Sequence, residues 1–138
     1  MSREIKFRAF IKSLKWMLRV ETINFIVNAV EVDLTGGDGD CSEYDFREVE
    51  IMQYTGLKDE NGKDIYEGDI FPNHFNSKIR GVVRFGEYQN PFNDDNHGGH
   101  VGFFVDWGRE DNLRRKDLAY WVKVSHVIGN VHEGETHG

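Results

Sequence analysis

The stretch Met52 to Ile70, MQYTGLKDENGKDIYEGDI, packs turn chemistry and strand-starting chemistry into nineteen residues. Asn61-Gly62 is its strongest hairpin signal, because both central residues of a type I′ turn need positive φ, which glycine adopts freely and asparagine tolerates. A strand is predicted to resume at once as Asp64-Ile65-Tyr66. Glu67-Gly68 then supplies a second turn, and Asp69-Ile70-Phe71 leads into Pro72 as a further strand. A Gly-Asp step ahead of an apolar strand suits the opening of a small SH3-like barrel: glycine allows the bend and the aspartate accepts from nearby backbone N–H groups. This concerns fold and carries no function by itself.

Toward the N-terminus, residues 4 to 11 alternate, with Ile5, Phe7, Ala9 and Ile11 on one side and Lys6, Arg8, Phe10 and Lys12 on the other. That is the period-two pattern of a half-buried strand. Leu14, Trp16, Leu18 and Val20 continue the inner row. With a turn at Lys12-Ser13, the outward sides of the two strands carry Lys6, Arg8, Lys12, Lys15 and Arg19, a basic face with Phe10 among the cations. From Ile23 to Leu34 the apolar phase slips, which a bulge near Ala29-Val30 would explain. Gly36 to Asp40 reads as an acidic loop, Ser42 with Asp45 as a capping box for a short helical turn, and Val49 to Tyr54 as strand. Residues 43 to 48 fit helix and strand equally.

Toward the C-terminus, Ile79, Val83 and Phe85 mark a strand interrupted by Gly81, and Val101, Phe103, Val105 and Trp107 another. Between them lies a long polar loop, Gly86 to His100, and loops of that length are usually functional or mobile. Leu113 to Ala119 suits a turn or two of helix, Trp121 to Val131 a last strand, and residues 133–138 a disordered tail.

The central segment TGLKDENGKDIYEGDI resembles the signature of the YopX family of phage and prophage proteins. Arg3 to Phe10 is similar to that family's opening, usually written with tryptophan in the last place, and Val127-Ile128-Gly129-Asn130-Val131-His132-Glu133 resembles its closing strand. The resemblance brackets nearly the whole chain. It implies a mostly β fold, a temperate-phage or prophage origin and no established biochemical activity. Within the signature, Gly56, Asn61, Gly62, Tyr66, Glu67, Gly68 and Asp69 read as structural.

Size and composition agree with one small β-rich domain over residues 1–132. A chain of 138 residues can bury a real core. Aromatics at 13% favour strands, and fifteen glycines against two prolines promise many tight turns. Cys41 is the single cysteine, so no internal disulfide framework exists. No apolar run reaches membrane-span length, and a bacterial host cytoplasm is the expected setting. Net charge is −7, but residues 1–20 hold six Lys/Arg against Glu4 alone. The acidic remainder argues against a DNA-coating protein, while the basic end could meet a phosphate backbone or an acidic protein surface, including a second copy in a homo-oligomer.

Other constellations carry less. His97 and His100, beside Asp94 and Asp95, are acceptable ligands for a zinc-class ion, but the glycines between them supply no rigid frame. Asp59, Asn61, Gly62 and Asp64 fail as a calcium loop, because with Gly62 at the sixth position Leu57 and Gly68 would occupy the first and twelfth, which need carboxylates. Acidic neighbours should raise the thiol pKa of Cys41. Ser125 and His126 on one strand would point to opposite faces. Tyr54, Tyr66, Trp107, Tyr120 and Trp121 could line a pocket, with core packing the plainer role.

The expectation is therefore a mostly β chain, a small partly open barrel or strongly bent antiparallel sheet with SH3-like elements and one or two short helical turns. Its expected role is non-catalytic binding of nucleic acid or a phage or host protein through Lys6, Arg8, Phe10, Lys12, Lys15 and Arg19, without a cofactor and away from membranes. The alternatives are a metal-dependent enzyme using His97 and His100, or a purely structural or host-interaction protein.

Overall fold

The computed structural model describes residues 4–37, 39–91, 99–111 and 113–135. Among the described residues the fold is mostly β, in two antiparallel sheets with no closed barrel, one short α-helix and two 3-10 turns. By backbone contacts the chain divides into two compact units, Met1–Tyr54 and Thr55–Gly138.

In the first unit β1 (Phe7–Ile11), β2 (Trp16–Asn24), β3 (Ala29–Asp33) and β4 (Cys41–Asp45) follow as a meander, and β5 (Val49–Lys58) returns alongside β1, giving the order β4-β3-β2-β1-β5. Strands β1 and β2 thus form the expected antiparallel hairpin, with Ala9 opposite Leu18 and Ile11 opposite Trp16. Alternation has its usual cause: Ala9, Ile11, Val30, Val32 and Val49 face a buried cluster, flanked by Leu18, Val20 and Ile51. The phase slip has a different origin from a bulge at Ala29-Val30. Residues 25 to 28 are a turn, so 23 to 34 is the end of one strand and all of the next, and the register shift falls between Val20 and Thr22. Asn24 Oδ1 accepts from the backbone N–H groups of Ile26 and Val27, and Asn28 takes the left-handed conformation at φ 55°.

Residues 43 to 48 split between strand and helix. β4 runs to Asp45, and a 3-10 turn covers Phe46–Glu48. Its box is Asp45 with Glu48, three residues later than the Ser42 and Asp45 expected: Arg47 N donates to Asp45 and Asp45 N to Glu48.

In the second unit the end of β5 forms the signature hairpin with β6 (Asp64–Tyr66). A second sheet has the order β11-β10-β7-β8-β9, from β7 (Asp69–Pro72), β8 (Arg80–Tyr88), β9 (His100–Asp106), β10 (Gly129–Asn130) and β11 (Gly134–Glu135). Its core is Ile65, Phe71, Val83, Val105, Trp107, Leu118 and Trp121. Gly81 does not interrupt its strand. The backbone there passes so close to Trp107 and Val105 that a Cβ would collide with Val105 Cγ1.

Four other expectations are corrected. Only Gly62 of the Asn61-Gly62 pair is left-handed, at φ 82°, so the hairpin is not type I′. Gly62 N donates to Asp59 O instead, a four-residue turn closed by a left-handed glycine. β8 extends through Tyr88, opposite His100, which shortens the long loop. The helix α1 is Leu118–Val124, where Leu118 and Trp121 share a buried side, leaving only Gly129–Asn130 as strand in the expected final one. Of the tail, Gly134–Glu135 pairs with β10, and 136–138 lie outside the described residues.

Candidate binding surface

Cross-strand partners in a hairpin project to the same face. The register sets Arg8 opposite Arg19 and Phe10 opposite Met17, so the hairpin does gather part of the expected cationic row. Its charges are largely answered locally. The Lys6 ammonium lies 3.3 Å from Glu4 and 4.6 Å above the Tyr54 ring. Lys12 Nζ donates to Arg47 O at 3.2 Å and stands 3.8 Å from Glu50, and Arg19 Nε lies 3.6 Å from Glu21. Exposed pairs of this kind contribute about 0–1 kcal/mol each to stability, yet each is a carboxylate that an incoming anion must displace. Lys6, Arg8 and Phe10 are moreover only half exposed.

Lys15 differs. It sits in the four-residue turn Lys12 to Lys15, left-handed at φ 58°, exposed, with no carboxylate partner among the described residues. Next to it Trp16, expected in the inner row, is 51% exposed, and Leu14 stands partly in water as well. The longer turn is the reason: it removes Leu14 from the strand and leaves Trp16 at the sheet's end. The result is a cation flanked by two apolar side chains.

The expected chemistry of the other candidates can now be placed. His97 lies outside the described residues, and His100 opens β9, with its ring 5.3 Å from that of Tyr88. Among the described residues no three His, Cys, Asp or Glu side chains converge as a metal-ligand group. Cys41 is exposed, and its thiol is held above its ordinary pKa by partial desolvation first, then by Glu21, Glu31, Asp33 and Asp40. It is poorly placed as a nucleophile. Ser125 is fully buried, with no hydrogen-bond partner for its hydroxyl among the described residues, while the His126 ring nitrogen lies 3.1 Å from Glu60. Of the aromatic set, Trp107 and Trp121 are core residues, and both indole N–H groups donate to Arg115 O. Arg114 lies over Phe75, Trp107 and Trp121, with its side chain only 14% exposed. Tyr120 lines a groove beside α1. Among the described residues no helix is long and apolar enough to cross a membrane.

The signature segment owes its geometry to a few side chains, and the comparisons agree with where it points. A family model described as the YopX protein matches residues 6–135. The chain belongs to the YopX family. A solved structure, that of protein EF1440 from Enterococcus faecalis, is similar over 96% of each chain, with 26% identity and a TM-score of 0.54. The search of curated proteins finds no match.

In this YopX chain the signature organises backbone. Asp59, 6% exposed, accepts from Asn61 N and Lys63 N through Oδ1 and from Val127 N through Oδ2. Asp69 is buried and accepts from Tyr66 N. Gly56, Gly62 and Gly68 are left-handed at φ 87°, 82° and 85°, where a Cβ would clash with the backbone. Gly68 also donates to Val83 O and accepts from Val131 N, and Glu67 completes that turn. Sequence reasoning passed over Asp59 as an organiser because it weighed the residue only as a calcium ligand.

Proposed function

We propose that this chain is a phage or prophage accessory protein that acts as a non-catalytic binding module, gripping a protein partner with the turn end of the β1–β2 hairpin. Lys15 beside Trp16 carries the reading. A half-exposed tryptophan is the side chain most enriched at interface hot spots, and a lone cation next to it would steer and orient an acidic partner. The left-handed backbone at Lys15 costs about 1 kcal/mol relative to glycine, so stability alone favours another residue there.

The protein partner is favoured over nucleic acid because Lys6, Lys12 and Arg19 already stand beside glutamates. The partner surface this hairpin suits is acidic with an apolar recess. A second copy of the chain meets the charge requirement, since all its net negative charge lies beyond residue 20. The setting we assign is the cytoplasm of a bacterial host, where an exposed thiol such as Cys41 stays reduced.

Light scattering over a concentration series tests self-association, and capture from host lysate tests a foreign partner, each with the native chain and with a Lys15→Glu, Trp16→Ala double variant. Both side chains are exposed, so circular dichroism should show the fold retained. The expected result is one defined complex that the variant loses. Equal complex formation by both proteins would sink the hairpin as the contact. Salt-sensitive binding to duplex DNA, losing about 0.9 log units in affinity per log unit of salt for each phosphate met, would transfer the role to nucleic acid.

A further inference from the structure

We infer that the second unit carries a separate ligand site: the groove between α1 and the strand residues Leu57 and Phe103 binds a small organic anion built on a flat ring. The groove encloses about 440 Å³, within the range of small-molecule sites. Leu57, Phe103 and Leu118 give it an apolar floor, and Tyr120 stands on its wall.

Its polar groups decide the ligand's charge. The one carboxylate, Asp117, is already engaged: Asn90 Nδ2 and Arg115 Nε donate to it, and the Tyr88 hydroxyl bonds it as well. Arg115 spends only its Nε there, so its terminal nitrogens are donors without an acceptor among the described residues, and its guanidinium lies 4.9 Å from the Tyr120 ring centre. Lys123, exposed and three residues beyond Tyr120 on the helix, is likewise without a partner among the described residues. Spare donors with no spare acceptor over an apolar floor fit an anion and leave a cation nothing to bind. A planar body fits because the Arg115 guanidinium covers the Tyr120 ring with one face and, with its side chain 57% exposed, keeps the other face for a ring to stack on. Whether the anionic group is a carboxylate or a phosphate, the recognition chemistry is shared.

The test uses the full chain, with indole-3-carboxylate, adenosine monophosphate, neutral indole and inorganic phosphate as probes, read by calorimetry and by amide chemical shifts. At least one ring-bearing anion should bind saturably and shift amides of Leu57, Phe103, Tyr120 and Lys123. Neutral indole and phosphate alone should each bind about tenfold more weakly or worse, as expected for losing a charge-assisted bond or the ring's burial. Lys123→Glu should weaken the anion about tenfold. Ala119→Phe should block it by filling the groove without changing charge, with circular dichroism showing the fold kept. Saturation by neither ring-bearing anion, phosphate as strong as either, indole as strong as either, or binding indifferent to both variants would each overturn the assignment.

Discussion

Asp59 holds three backbone N–H groups with one carboxylate, two inside its own turn and one on a segment far along the chain. Removing it strands a buried donor, so Asp59→Ala should cost about 3 kcal/mol in urea unfolding, with Asp59→Asn losing less because its amide oxygen still accepts. Gly81→Ala should destabilise by about 1–3 kcal/mol in the same measurement, since its new methyl meets Val105 and Trp107, both fixed in the core. Asp33 responds to pH. The Thr35 N–H, opposed by desolvation and helped by Gly37 and Gly36, lowers its pKa below 3.8. A lowered carboxylate contributes stability above its unfolded pKa and loses it as pH falls through the folded one. Asp33→Asn should therefore reduce stability at neutral pH and flatten its fall below pH about 4, seen in thermal melts across an acid series.

At the level of elements, two hairpin tips show where pattern reading succeeds and fails. The hairpin β1–β2 was legible because Phe7, Ala9 and Ile11 alternate cleanly. The tip between β2 and β3 was not, because Phe25, Ile26 and Val27 are apolar and yet point outward, Ile26 being 92% exposed. Periodicity counts apolar residues as core and has no means of seeing that Asn24 and Asn28 have folded them into a turn. The α1 segment was misread for a related reason: Trp121, Val122 and Val124 are strand-formers, and packing of Leu118 and Trp121 on one side outweighed propensity. The left-handed turn residue gives a direct test. Lys15→Gly should raise stability by about 1 kcal/mol while weakening partner capture, a split that denaturation and capture would read separately.

For the whole molecule, charge distribution is the property that sequence alone conveys. A net charge of −7 and an isoelectric point near 5.3 predict a solubility minimum close to that pH, checked by light scattering across a titration. The basic N-terminal count was legible too, but its neutralisation was only partly so, because Glu50 reaches Lys12 only through the pairing of β5 with β1. The α1 groove was almost invisible beforehand. Its lining comes from Thr55 to Lys123, and only Tyr120 had been marked as a pocket residue.

The bond from Val127 to Asp59 spans 68 residues, and this has a consequence for synthesis. While the ribosome is still adding the C-terminal third, the signature turn lacks its third donor and its carboxylate faces water. Final locking of that turn must wait until Val127 is free of the ribosome, so a chain truncated before that point lacks the bond that ties the turn to the C-terminal segment.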